Sequence, residues 1–290
     1  MNIERLERRG WGNRTFDALN AIFLILLMLT MIIPFANVVA LAFSSGMASM
    51  KPEIILFPKE FSIEGFGTVW NSLDLRRPFM NSVIVTVTGT LLHVLLSSMA
   101  GFVLIQPQLP GKKFMVSFIL LTMMIPQDAI MIPLYLVNQD LHLINTLSSL
   151  VLSGMVSGFS ILLMRNFFLS VPYEMCESAQ IDGLGMLRIF TTIYIRLAIT
   201  GVATVTLFEF VSRWNMLSAP VLFINDSTKI TLQVALKSMI TDASATSGNL
   251  LITTNVRMAG ILISIIPLLA VYPFIQRYFM KGLMLGANKE

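Results

Sequence analysis

An all-α polytopic membrane protein with six transmembrane helices is the fold class this sequence predicts, and three observations predict it. Of its 290 residues 55% are hydrophobic and only 12% charged, where soluble proteins give about a quarter of their residues to charge; mean hydropathy is +0.77. The apolar residues gather into runs of about 20, the length that crosses a bilayer core of ~30 Å at ~1.5 Å per helical residue. Lys and Arg fall mainly in alternate short connections, as the positive-inside rule requires. The net charge of +4 is thus spread around apolar runs, which gives no nucleic-acid surface. Cys176 has no cysteine to pair with, and His93 and His142 are too few and too distant for a metal site.

Residues 1–20 are polar and basic, with Arg5, Arg8, Arg9 and Arg14 ahead of an apolar run from Ala21 to Phe43. Ala40-Leu41-Ala42 mimics a signal cleavage site, but about 23 apolar residues reach roughly 35 Å, beyond a signal core and matched to a bilayer. The run is read as an uncleaved first span with the N-terminus in the cytoplasm. Ser44 to Asn81 then lies outside. Within it Phe66, Val69, Trp70 and Leu73 recur at helical spacing, predicting an amphipathic helix that either lies on the outer face under a docked partner or caps the bundle.

The second span runs from about Ser82 to Ile105, and Lys112 and Lys113 place the short return inside. The third, Phe114 to Leu136, carries Pro126-Gln127-Asp128 and then Pro133, so a kink and a carboxylate fall near mid-membrane. A charge there costs about 2.5–3.5 kcal/mol on insertion scales and normally faces a cavity or a partner. Gln127 and Asp128 are therefore candidates for a solute path; the alternative is that they satisfy backbone groups freed by the prolines. Val137 to Asn145 lacks Lys and Arg and reads as outside. The fourth span, Thr146 to about Phe168, contains Gly154-x-x-x-Gly158, a small-residue face for close helix packing. Arg165, Arg188 and Arg196 put the connection that follows it inside.

The fifth span ends near Ser212 and holds Glu209 four residues before Arg213, a spacing that predicts an ion pair near the outer surface; a solute-contacting carboxylate is the second reading of Glu209. Trp214-Asn215 and the apolar Ala219 to Ile224 predict a partly re-entrant bend that presents a ring and an amide to solute. Thr241 to Asn249 is small and polar. A sixth span from Met258 to Phe274 and a basic tail close the count inside. The chain thus divides into a cytoplasmic segment 1–20, a six-helix domain 21–274 that includes an inner loop 169–196, and a cytoplasmic tail 275–290.

That inner loop, from Pro172 to Arg196, is built as a docking element. Pro172 suits a first helical turn and Glu174 complements the positive end of the helix dipole. Glu174, Glu177, Ser178 and Ile181 share one face, with Met175, Ala179 and Asp182 on the neighbouring one. Asp182-Gly183, with Gly185 beyond, supplies a left-handed helix stop. A second helical pattern from Met186 then runs into the fifth span as one rigid piece. A short helix of this kind can fill a groove on a partner, where Ala179 permits close approach and Glu177 pairs with a basic wall.

At Glu177-Ser178-Ala179, Gly183 and Ile193-Tyr194-Ile195 the chain resembles the EAA coupling loop of ABC importer permeases, with Ser178, Ile195 and Arg196 standing where the pattern has Ala, Leu and Pro. Asn81-Ser82, Met124-Ile125-Pro126, Pro172, Trp214-Asn215 and the closing VYPFIQRYFMKGLMLGANKE extend the resemblance to the carbohydrate, or maltose-type, branch of these permeases. The tail is most similar to members for larger oligosaccharides, including uronate-type ones. The resemblance implies the type I permease fold in a bacterial inner membrane, and Glu174, Glu177, Ser178, Ala179, Asp182 and Gly183 as the contact with an ATPase. It also implies a second, homologous permease subunit, two ATPase subunits that hold the ATP and Mg, an extracytoplasmic solute-binding protein and a sugar substrate. Thr241 to Asn249 would reach the binding protein, and Lys281 to Glu290 the ATPase interface.

No Gly-x-x-x-x-Gly-Lys-[Ser/Thr] phosphate loop occurs, since Gly111-Lys112-Lys113 lacks the upstream glycine and the hydroxyl. The chain is expected to be no enzyme and to hold no cofactor. An ion-gradient transporter is the alternative, but it calls for inverted repeats and several buried carboxylates. A sugar path needs amides, carboxylates and aromatic faces, which Gln127, Asp128, Glu209, Trp214 and Asn215 offer. The two carboxylates speak against an anionic solute and the tail for one, so the sequence leaves its charge open.

Overall fold

The computed structural model describes residues 11–241 and 252–287, so Arg5, Arg8, Arg9, residues 242–249 of the predicted outer loop and residues 288–290 lie outside the described part. Among the described residues the chain is helical, with one isolated antiparallel bridge, Ser44 to Phe61. The helices are α1 (Trp11–Ala42), α2 (Gly46–Ser49), α3 (Glu64–Gly67), α4 (Arg76–Val103), α5 (Lys112–Met123), α6 (Gln127–Asp140), α7 (Leu147–Leu152) and α8 (Gly158–Leu169). They continue with α9 (Glu174–Ile181), α10 (Met186–Ile189), α11 (Ile195–Leu197), α12 (Ile199–Trp214), α13 (Ser218–Phe223), α14 (Leu232–Thr241) and α15 (Thr254–Ala287). Two compact units result, one of residues 1–73 with 242–263 and one of residues 74–241 with 264–290.

In the first unit α1 is an apolar rod of which the most apolar 18 residues have none buried. Its C-terminal end is gripped, where Ala40 and Leu41 pack with Ile55 and Met258. The predicted amphipathic helix is shorter than its pattern: α3 gives way to a π-helical turn at Thr68–Ser72. Val69 is fully buried and Phe66 packs on Phe43 at 4.9 Å, so this segment caps its own unit. Asn255 ties it together, donating through Nδ2 to the Ser44 carbonyl and through its backbone N–H to Ser49 Oγ, both at 3.1 Å.

The second unit is built on α4, which packs along α8 and α12. Glycines set the spacing. A side chain at Gly101 would lie 2.9 Å from the Arg165 backbone nitrogen, and one at Gly201 only 2.4 Å from the Phe167 ring. Between α6 and α7, Asn145 holds a φ of +64° and its Oδ1 accepts the N–H groups of Asn225 and Asp226. Hydrogen bonds from Thr228 hold the Asp226 carboxyl below its ordinary range.

Among the described residues three helices are long and apolar enough to cross a membrane alone, Thr15–Ala42, Arg76–Val103 and Thr254–Pro273, and up to five if two bent pairs each make one span. The third expected span is such a pair, α5 and α6 meeting at 103°. The fourth is interrupted: α7 and α8 are separated by residues 153–157, and α8 alone is too short to cross. Gly154 sits in this break with φ +72°, so Gly154 and Gly158 do not form one helix face. Gly158 alone has the expected close contact, against Met123 and Ile119.

The fifth span departs from the rigid rod expected of it. Met186–Leu197 meets α12 at 83°, after a π-helical turn at Phe190–Tyr194. Thr191 and Thr192 hydroxyls donate back to the Arg188 carbonyl, competition for backbone acceptors that bends helices. Arg196, in place of proline, lies exposed just before this knee. The last helix is longer than predicted, since the tail continues α15 through Pro267 and Pro273 to Ala287.

Candidate functional site

The inner loop folds as a helix set on an apolar seat. α9 begins at Glu174, after a turn in which Met175 N–H donates to the Pro172 carbonyl. Its end is a Schellman stop: Leu184 N–H donates to the Ala179 carbonyl and Gly183 N–H to that of Gln180, both at 3.0 Å. Gly183 has φ +81°, the left-handed conformation that glycine adopts without strain. The inward face carries Cys176 and Ala179, packed with Phe168, Val171, Ile189, Phe190 and Tyr194. Ala179 was expected to admit a partner; it lies inward at 7% exposure and lets α9 settle onto its own chain. Burial pushes the Cys176 thiol above its ordinary value.

The outward face is mixed. Glu174, Glu177, Ser178, Asp182 and Gly183 are exposed, as the spacing predicted. Among them Ile181 is 87% and Leu187 69% exposed, apolar side chains that water would not favour at a free surface. Three carboxylates around an apolar tip can meet a groove that is apolar at its floor and basic at its rim.

The candidate path residues are not gathered round one space. Asp128 is exposed in the first turn of α6, where a carboxylate complements the helix dipole. Gln127 opens that helix, and its side chain lies outside the described residues. Asn215 is exposed at the end of α12, with Gln233 donating to it at 3.5 Å. Trp214 requires a correction: at 2% exposure it donates Nε1–H to the Ser264 carbonyl at 2.8 Å and packs against Phe79 and Phe210. Its ring faces are occupied, so it has none to offer a solute. An open, apolar cavity of about 390 Å³ between α4 and the fifth span is lined by Thr90, Leu91, Thr191 and Thr206 among others, and by none of the predicted residues.

Glu209 also changes role. The i, i+4 pair forms, Arg213 Nε donating to Glu209 Oε1 at 2.5 Å, but inside the helical core, with the two side chains 2% and 14% exposed. The spacing was legible; its burial was not, because the groups that bury it come from distant sequence. Arg213 donates to the Leu150 and Val151 carbonyls at 3.1 and 3.2 Å and to that of Gly154 at 3.0 Å. His93, which the sequence left without a role, has Nδ1 2.9 Å from the Gly154 carbonyl and Nε2 2.8 Å from Ser160 Oγ. A carbonyl only accepts, so Nδ1 carries a proton toward Gly154.

Apolar helices of membrane-crossing length and an exposed acidic knob define a helical membrane protein. The chain belongs to the binding-protein-dependent transport system inner membrane component family, whose pattern matches residues 93–284. It is a permease subunit of an ABC importer; ATP hydrolysis lies in partner subunits, and nothing favours the ion-gradient alternative. Among relatives, the polygalacturonan/rhamnogalacturonan transport system permease protein YtcP of Bacillus subtilis (strain 168) is 33% identical, over 96% of this chain and 99% of that one. The arabinooligosaccharides transport system permease protein AraQ of Halalkalibacterium halodurans is 27% identical, over 89% and 91%. A chain of a bacterial ABC transporter involved in the import of the acidic polysaccharide alginate is similar in structure, with a TM-score of 0.86 at 30% identity over 93% and 98%.

Proposed function

We propose that this permease carries an oligosaccharide, of acidic type, into the cytoplasm by alternating access. It works with a second, homologous permease subunit, two ATPase subunits that bind ATP and Mg, and an extracytoplasmic binding protein; both of its termini are cytoplasmic. The observation that carries the coupling is the α9 knob, with Ile181 and Leu187 outward among Glu174, Glu177 and Asp182. Closure of the ATPase pair moves this knob as a body, because its inward face is cemented to Phe190 and Tyr194, and the spans follow.

Two relatives support the acidic solute, one named for polygalacturonan and one for alginate. The objection from buried carboxylates weakens, since Arg213 neutralises Glu209 and only Asp128 is left as an exposed path carboxylate. Gly183→Pro, which forbids the φ of +81°, and Glu177→Arg are expected to abolish ATP-driven uptake in assembled complexes. Full uptake by both variants overturns the coupling role. For the solute, uptake of galacturonate oligomers is measured against neutral ones of equal length, and preference for the neutral series rejects the acidic reading.

A further inference from the structure

The fourth span is cut between α7 and α8, so any movement of the coupling side reaches α7 by some route other than a continuous helix. Arg213, at the far end of α12 from the knee, supplies one. Its guanidinium satisfies carbonyls at the end of α7 and in the break that follows, those of Leu150, Val151 and Gly154. Glu209 fixes it from one turn below. His93 of α4 closes the arrangement, lying 3.3 Å from Glu209 Oε1 as well as against Gly154 and Ser160. Space has been left for it: a Cβ at Gly89 would lie 2.3 Å from Arg213 Nη1. On its other side α7 packs with α13, which packs in turn with α6, and Leu150 belongs to one apolar cluster with Ala219, Phe223 and the partly buried Leu134 and Tyr135.

We propose that Glu209, Arg213 and His93 are positioning residues for transport, a clamp that makes α7 travel with α12 across the break and so passes coupling movement to the outer α6–α7–α13 group. The proposal rests on the permease reading. A neutral side chain at 213 would take their Arg213 donor from the Leu150 and Val151 carbonyls at the end of α7, leave Gly154 to His93 alone and Glu209 without its arginine counter-charge, which frees α7 to hinge at Gly154.

The test uses the assembled importer in liposomes, with Cys176→Ser and spin labels at Leu152→Cys and Val211→Cys. The 152–211 distance is measured without nucleotide and in the nucleotide-trapped state. In the otherwise native importer it is expected to stay constant while a 152–169 pair changes; a 152–211 distance that shifts as much overturns the clamp. Arg213→Gln, and Gly89→Ala, which displaces the guanidinium while keeping every charge, are expected to lower uptake about tenfold and to leave binding-protein-stimulated ATP hydrolysis within about twofold. Unchanged uptake in either assembled variant, or uptake and hydrolysis falling together, overturns it as well. Where a variant does not assemble, the distance in the native importer decides. Failure of the permease reading shows differently: stimulated hydrolysis would then survive Gly183→Pro in the α9 knob, whatever the 152–211 distance does.

Discussion

Gly201 leaves no room for a side chain against Phe167. Gly201→Val is therefore expected to destabilise the assembled complex by about 1–3 kcal/mol, since overpacking forces rotamer and backbone shifts, and thermal unfolding in detergent measures it. Trp214→Phe keeps most of the packing but loses the hydrogen bond to the Ser264 carbonyl, a loss of about 1 kcal/mol by the same measurement, with uptake by the assembled complex retained. Cys176 is fully buried and its thiol is pushed up. A raised thiol pKa means little thiolate near neutrality, so maleimide is expected to spare it in the folded complex and to react once the chain is denatured. Trp214 also shows why single residues mislead. An aromatic at the end of a span reads the same whether it faces a solute or a neighbouring helix, and only the contact 50 residues away decides.

At the scale of elements, local patterns were readable and long-range ones were not. Glu177, Asp182 and Gly183 follow from helix spacing and stop chemistry alone, and the outward acidic face appears where that spacing puts it. The inward turn of Ala179 is set by Tyr194 and its neighbours, which sequence spacing cannot weigh. The break at residues 153–157 was hidden because the apolar pattern continues through it, and a φ of +72° at Gly154 leaves no signature that separates it from a packing glycine. His93 could have been noticed as a polar residue in an apolar run, but its partners lie 61 and 67 positions on. A prediction belongs here. Ile181→Lys changes a side chain 87% exposed and is expected to weaken ATPase binding several-fold without altering the permease's own unfolding temperature, as loss of an apolar anchor does. Co-purification of the ATPase, read against the melting curve, separates the two.

Taken as a whole, one chain leaves much apolar surface uncovered. The most apolar stretch of α1 has 0% of its residues buried, and those of α4 and α15 have 39% and 22%. Lipid satisfies such surface, but only closely packed helices fix how it sits. The chain expressed without a second permease subunit is expected to accumulate several-fold less than with it, as quantitative immunoblotting of membranes would show; equal levels would argue that it stands alone. The class of protein was legible in the sequence because composition and apolar run length are whole-chain properties. The bend of the third span was marked by Pro126, but the knee at Ala198 was not, since it lies in an apolar stretch with no proline.

One of those bends has a mechanical meaning. From Met186 to Leu197 and along Ile199–Trp214 the arms measure about 18 and 24 Å at ~1.5 Å per residue, joined at 83° with Ala198 buried in the corner and hydrogen-bonded to both sides. That is the shape of a bell crank. A thrust delivered to one arm of such a shape comes out of the other turned through nearly a right angle and little changed in size, so under the proposed coupling a pull along the membrane normal would become a sideways sweep in the plane of the bilayer.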